Sequence, residues 1–397
     1  MAGVRSKKSS PGRSYDVLIV GAGLFGLTMA ERLVRELGKR VLLIDRRDHI
    51  GGNCASEVDS ITGIECHKYG AHLFHTSDQR VWDYVNQFTS FTNYVHKVYI
   101  THKGEVYPMP INLGTINQFF HSSYTPDEAR AEIAKQASSA PAHPTNLVEQ
   151  GISLIGKPLF NAFIKNYTAK QWQTPAEELS PEIIKRLPVR YNYNNNYFKD
   201  TYEGLPVDGY GAWFQNIVAK CGKNLEIRLG IDYFTDPQIA KLRRSDIFTI
   251  YTGPIDKYYD YQFGELKWRS IELEKEVVDV DDFQGCPVMN YADLDQKFTR
   301  IHEFKHFHPE RNYGCYAEGS DKTVIVREYS KTWTRDDEPY YPVNTAEDRE
   351  KLDQYRALAE NESNIIFGGR LGEYAYYDMD KTIAAALAKF DEIKDRV

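Results

Sequence analysis

The stretch Asp16-Val-Leu-Ile-Val-Gly21-Ala-Gly23-Leu-Phe-Gly26-Leu-Thr-Met-Ala30 decides the fold. An apolar strand runs into three glycines spaced GxGxxG, and a helical pattern continues to residue 37. Glycine lets the chain turn sharply and lets its backbone approach a pyrophosphate, whose charge the helix N-terminus favours. The strand Val41-Leu-Leu-Ile-Asp45 closes the unit, and Asp45 lies near the spacing of about 20 residues expected of a ribose-binding carboxylate. Gly21, Gly23, Gly26 and Asp45 therefore mark a dinucleotide site.

The chain has 397 residues, long for a single core, so two or three domains are expected. A formal charge of -7 argues against a nucleic-acid partner or a polybasic membrane contact. No uncharged apolar run approaches the roughly 18 residues of a membrane span, and the first ten residues lack the apolar core of a signal peptide. A cytoplasmic protein is expected. Five cysteines, without a CxxC pair and odd in number, suit reduced thiols, and no metal site is expected.

Past residue 93 the texture changes. Residues 95–101 and 105–109 read as a hairpin around His102-Lys103-Gly104. Thr125-Pro126-Asp127-Glu128, Thr174-Pro175-Ala176-Glu177 and Ser180-Pro181 are written as helix starts. Phe160, Phe163, Ile164 and Tyr167 have the spacing of one apolar helix face. Residues 257–263, 267–280, 287–291, 298–306 and 323–330 read as successive strands, predicting an antiparallel sheet. The end, Asn364-Ile-Ile-Phe-Gly368-Gly-Arg370-Leu-Gly372 and then a helix from Asp378, returns to strand, glycine loop and helix, so the nucleotide domain is discontinuous.

The glycine pair in Arg46-Arg47-Asp48-His49-Ile50-Gly51-Gly52-Asn53 comes after the acidic residue as in many FAD-binding flavoproteins, which favours FAD over NAD. A helix starting near Asp378 and Met379 directs its positive end at a flavin ring. No second GxGxxG appears, since Phe214 stands where Gly209-Tyr-Gly211 requires a third glycine. The expected fold class is α/β: a discontinuous Rossmann-like FAD-binding domain (1–92, 206–256, 343–397), a helical-bundle insert carrying substrate and lid (112–190), and an antiparallel β-sheet domain (93–111, 191–205, 257–342).

These motifs, with Tyr69-Gly-Ala-His72-Leu-Phe-His75-Thr, Pro110-Ile-Asn-Leu, Tyr167-Thr-Ala-Lys-Gln-Trp172, Lys185-Arg186-Leu-Pro-Val-Arg190, Tyr340-Tyr341-Pro and Gly369-Arg370-Leu-Gly372, resemble bacterial UDP-galactopyranose mutase in order over nearly the whole chain. The resemblance implies a homodimeric flavoenzyme that interconverts UDP-galactopyranose and UDP-galactofuranose, a precursor of cell-surface glycans. N5 of reduced FAD is then the nucleophile at the anomeric carbon, with no net redox change.

The resemblance also implies roles for single residues. Arg186 and Arg300 clamp the diphosphate; the segment Trp172 to Pro181 before Arg186, read above as two short capped helices, is expected to form a mobile lid that brings this cation in with substrate. Phe163, Tyr167, Thr168 and Trp172 form a uridine pocket. Tyr197, Asn290, Tyr341 and Tyr376 contact sugar or diphosphate, and Arg269 and Arg370 lie near flavin and sugar. His72 and His75 pass beside the flavin, His72 near N5, while Arg46, Gly52, Asn53 and Asp378 complete the cofactor site, Asp378 as a helix cap. Arg190 is structural. The HxxH spacing of His72 and His75 lacks further ligands for a metal. The chain departs from the family at His96, where asparagine is common, and at Ile164, where an aromatic is common. Two rivals remain: an FAD-dependent oxidoreductase of the amine-oxidase type, and a UDP-sugar-binding flavoprotein without turnover.

Overall fold

The computed structural model describes residues 15–185, 187–311 and 321–397. A five-stranded sheet has the order Ile365–Phe367, Phe248–Tyr251, Val17–Val20, Val41–Asp45, Leu225–Leu229, with every neighbouring pair parallel. Its strands come from the beginning, middle and end of the chain. Val17, Leu18 and Ile19 are wholly buried, as are Val41 to Ile44, because both faces of the sheet are covered. One face packs on Tyr233, Ile239 and Ile247. The other packs on the helix Leu24–Leu37, which lies between the helices Gly209–Cys221 and Met379–Ile393. A parallel sheet covered on both sides gives continuous apolar runs, the pattern read in Val17–Val20 and Val41–Ile44.

The second sheet has seven strands in the order Tyr341–Pro342, Trp268–Val278, Thr323–Thr332, Arg300–Glu303, Val288–Tyr291, Val98–His102, Glu105–Met109. It is antiparallel except where Val288–Tyr291 joins Val98–His102 in parallel. The hairpin turns on Lys103 and Gly104, both at positive φ, as a two-residue turn between twisted strands requires.

The helical unit comprises Leu113–Phe119, Pro126–Ala137, Leu147–Leu159 and Asn166–Trp172. Asn112 and Thr125 close reciprocal capping boxes. Between the last two helices Phe160–Lys165 forms a π-helical turn. Phe160, Phe163 and Ile164 stay in the core, but the wider turn rotates the helix Asn166–Trp172, so Tyr167 leaves the apolar stripe.

Two local readings need correction. Thr174-Pro175 starts no α-helix: Pro175 precedes a three-residue 3-10 turn, Ala176–Glu178, and Ser180 caps another, Pro181–Ile183. Pro181 holds the preceding residue in extended conformation, which prevents the first turn from continuing. Residues 257–263 form no strand. They contain the end of a helical turn, Ile255–Tyr258, whose tyrosines pack on one another and on Phe367. Their β-like composition serves an aromatic cluster. Among the described residues no helix is long and apolar enough to cross a membrane.

Candidate active site

A cavity of about 820 Å³ runs from the glycine turn, past His72, to Arg300. At its nucleotide end the backbone leaves no room for side chains. A Cβ on Gly26 would stand 1.9 Å from the Gly21 carbonyl oxygen, and one on Gly52 would stand 2.9 Å from Gly23 Cα. The second contact gives the Gly51-Gly52 pair its reason: it packs directly on the first glycine turn. The helix Leu24–Leu37 begins at Gly23 with no side-chain cap, so its first-turn N–H groups are directed toward the cavity end. Asp45 Oδ2 accepts from Ala22 N at 2.7 Å, and Oδ1 accepts from Arg47 N at 2.9 Å.

The two arginines after Asp45 divide differently from the sequence reading. Arg46 lines the cavity edge, but its guanidinium is exposed and pairs with Glu338 at 2.5 Å. Arg47 is more buried. It pairs with Glu338 at 2.7 Å, donates to Asn53 Oδ1 at 2.9 Å and lies over the Tyr69 ring. Glu338 thus ties the segment before Tyr340 across the nucleotide end. Nothing in the spacing of Arg46 and Arg47 separates their roles; burial does.

The helix Met379–Ile393 points its N-terminus into the same cavity. Asp378 occupies the N-cap position, as expected, but its side chain makes no capping hydrogen bond. Burial pushes its carboxyl up. Asp380, at the second position of the helix, accepts from Thr76 Oγ1 at 3.1 Å instead. Arg370 donates to the Tyr340 carbonyl oxygen, and its guanidinium lies 5.6 and 5.9 Å from the Tyr341 and Tyr376 rings, which stack on each other.

His72 donates from Nδ1 to Gly70 O at 2.8 Å, and its backbone N–H donates to His67 Nδ1 at 2.9 Å. Burial depresses the His72 ring to about 4, and depresses His96 to about 3. It holds His67 well below the ordinary histidine value. His75 Nδ1 meets Asp200 Oδ2 at 2.8 Å while its ring stacks on Phe198, so the two histidines of the HxxH spacing face different partners. The depressed rings carry a consequence for stability. Between about pH 6.5 and 4 the unfolded chain takes up protons that folded His67, His72 and His96 refuse, so stability falls with acidification. A lower urea midpoint at pH 5 than at pH 7 is expected, and replacing His96 by asparagine should narrow the gap.

At the far end Tyr167, Asn290 and Arg300 meet. Arg300 Nη2 donates to the Tyr167 hydroxyl at 2.8 Å, and that hydroxyl donates to Asn290 Oδ1 at 3.5 Å. Arg300 Nε lies 3.3 Å from Glu328 Oε1, and His302 Nε2 lies 3.1 Å from Glu328 Oε2. Burial alone would raise the Glu328 carboxyl, but Arg300 and His302 outweigh it and hold it at about 2. Burial pushes the Tyr167 hydroxyl up to about 12, so it remains a neutral donor. Phe163, Thr168, Tyr197, Tyr341 and Tyr376 line the same end. Sequence reasoning missed Glu328 and His302, which look there like ordinary residues of a strand.

Two expected residues fall outside this cavity. Trp172 and Arg269 line an adjoining depression with Lys267, Trp333 and Arg349. Arg269 donates to Thr332 Oγ1 at 3.0 Å and to Gln171 O at 3.2 Å, fastening the end of the helix Asn166–Trp172 to the sheet. Arg186 lies outside the described residues. Arg190 donates to the carbonyls of Asn194, Asn196 and Tyr197, organising the polar tract around them.

The family model for UDP-galactopyranose mutase matches residues 162–376, and one for an NAD(P)-binding Rossmann-like domain matches residues 19–88. The chain is 43% identical over 382 residues to a "Probable UDP-galactopyranose mutase" of Klebsiella pneumoniae, covering 96% of this chain and 95% of that protein. It is 39% identical to a dTDP-fucopyranose mutase of Escherichia coli, covering 94% and 96%. A crystal structure of reduced UDP-galactopyranose mutase superposes with a TM-score of 0.68 at 17% identity, covering 97% of this chain and 96% of the other, and so shares the fold. The match of over half the chain to one family model, and identities of this size over nearly full length, decide the assignment: the chain belongs to the UDP-galactopyranose mutase family.

Proposed function

We propose that this protein interconverts UDP-galactopyranose and UDP-galactofuranose, with reduced FAD as cofactor and no net redox change. The observation that carries the reading is one continuous cavity, with a glycine-lined dinucleotide end and an arginine–tyrosine end. The residues present fit FAD. The Gly26 and Gly52 contacts leave a cradle that a Cβ would fill, an uncapped helix start suits a pyrophosphate, and Asp45 suits a ribose. The chemistry asked of the bound, reduced cofactor is a nucleophilic N5 at the anomeric carbon.

The chain's own residues then bind, orient and stabilise. Arg300 offers a permanent cation to the diphosphate, and its fork geometry suits phosphate oxygens. Glu328 and Tyr167 fix that fork before substrate arrives, so less reorganisation accompanies departure of the nucleotide. Tyr341, Tyr376 and Arg370 flank the path between this clamp and the helix Met379–Ile393, whose positive N-terminus favours an anionic ring. His72 donates its Nδ1 proton to Gly70, which leaves Nε2 as an acceptor and orients the loop instead of supplying acid. Arg186 adds the second cation of the clamp.

A diphosphate clamp makes UDP bind at least about tenfold more tightly than UMP, by the loss of charge-assisted hydrogen bonds. Calorimetric titration measures this, and equal affinities would contradict the clamp. The relative from E. coli favours a second reading of the sugar nucleotide alone, dTDP-fucose, with the same chemistry. Turnover of both furanose substrates side by side decides between them. The protein works as a cytoplasmic homodimer in this reading; a monomer mass in light scattering at assay concentration would remove the dimer.

A further inference from the structure

Lys170 makes a set of contacts that neither cofactor binding nor the diphosphate clamp calls for. It lies on the helix Asn166–Trp172, three residues after Tyr167 and two before Trp172. Its Nζ is 2.7 Å from Tyr291 O, 2.8 Å from Asp293 O, 3.1 Å from Gln296 O and 3.2 Å from Phe298 O. An ammonium has three N–H donors, so four carbonyls share them. All four belong to the end of one strand and the connection leading to the next, between Asn290 and Arg300. Those two residues are the ones that meet the Tyr167 hydroxyl.

The surroundings fasten the same connection from its other side. Asp293 accepts from Lys103 N at 2.7 Å and bonds His102 Nδ1 at 2.7 Å, while Ala292 N donates to Thr101 O at 3.2 Å. Helix, connection and hairpin thus meet at one point, to which Lys170 brings an ammonium. Backbone carbonyls aimed at a common centre need a donor there. Removing the ammonium would leave them unsatisfied and free to turn away.

We propose that Lys170 is a positioning residue for nucleotide-sugar binding: its ammonium, held by four carbonyls, sets the spacing between the helix that carries Tyr167 and the strands that carry Asn290 and Arg300. This rests on the mutase reading of the cavity. The groups facing Lys170 are Asp293 and Asp295 on the connection, with His102 bonded to Asp293 from the hairpin. Burial lowers the ammonium to about 8, against the pull of the two carboxylates. The Asp293 carboxylate is held below its ordinary value by its two donors and stays charged throughout the window of interest. Above pH 8, therefore, Lys170 loses a proton and the carbonyls lose a donor.

The test is calorimetric titration of UDP into the dinucleotide-loaded protein, wild type and Lys170→Met, from pH 7 to 9. At pH 7 Lys170→Met is expected to raise the Kd for UDP at least about tenfold while leaving dinucleotide content unchanged. The wild-type Kd should rise with a break near pH 8, and the variant should lack that break. A wild-type Kd in the variant, or the same break in both proteins, would overturn the proposal. If Lys170→Met fails to fold, the wild-type profile decides, and a flat Kd across pH 8 overturns it. A wild-type protein that binds no UDP at any pH would overturn the nucleotide-sugar reading, and this role with it.

Discussion

Arg300→Ala is expected to lower kcat by about 10²- to 10³-fold while leaving the dinucleotide bound, the scale on which one preorganised charge at a departing anion acts. Arg300 reaches the cavity from the start of the strand Arg300–Glu303; its Nη2 donates to the Tyr167 hydroxyl, and its charge pairs with Glu328, 3.3 Å from Nε. Its removal takes away a cation that the cavity holds ready, and among the described residues it leaves Glu328 with the His302 ring, 3.1 Å away, as its near side-chain partner. A buried carboxylate with less compensation takes up a proton more readily, so the Glu328 carboxyl rises from about 2. Arg300→Lys keeps the charge but not the planar fork and should fall between the two. Steady-state kinetics with the visible absorbance of the cofactor separates chemistry from cofactor loss. Wild-type turnover in Arg300→Ala would sink the clamp. Arg186→Ala is expected to behave alike on the strength of its motif.

Gly26→Ala is expected to purify with little or no dinucleotide. The added Cβ would stand 1.9 Å from the Gly21 carbonyl oxygen and 3.1 Å from its carbon, and the opposing atoms are backbone. The helix Leu24–Leu37 would have to move away from the strand Val17–Val20, and that movement opens the turn on which a pyrophosphate rests. Overpacking of this kind costs about 1–3 kcal/mol in stability. The variant should therefore melt at a lower temperature as well as lose cofactor. Full cofactor occupancy at the wild-type melting temperature would show that the turn tolerates a side chain and that the cradle has been misread.

The nucleotide domain was legible because each of its signals is local. Gly21, Gly23, Gly26 and Asp45 lie in one strand–turn–helix–strand unit, and the buried parallel strands write themselves as unbroken apolar runs. The Gly51-Gly52 pair was legible as a motif, but its packing on Gly23 needed coordinates. Local signals failed where tertiary packing decided the backbone. Residues 257–263 have a strand's composition but serve an aromatic cluster, and Thr174-Pro175 has a cap and a proline but no room to extend before Pro181.

The candidate site divides in the same way. Tyr167 and Arg300 are 133 residues apart and meet only because the helical unit is laid against the seven-stranded sheet. The family resemblance carried both names, whereas periodicity assigned Tyr167 to the core stripe, from which the π-helical turn removes it. Glu328, His302 and Lys170 carry no motif of their own, and their importance comes from burial beside charge or carbonyls. Arg47 and Arg46 differ in burial and not in spacing, and Arg269 and Trp172 line a neighbouring depression.

The most direct measurement is chromatographic. FAD-loaded protein is incubated anaerobically with UDP-galactofuranose, with and without dithionite, beside a parallel incubation with the furanose form of dTDP-fucose. Formation of UDP-galactopyranose only in the reduced sample is the result the proposal requires. Reduced, loaded protein that binds UDP-galactofuranose and leaves it unconverted would contradict it.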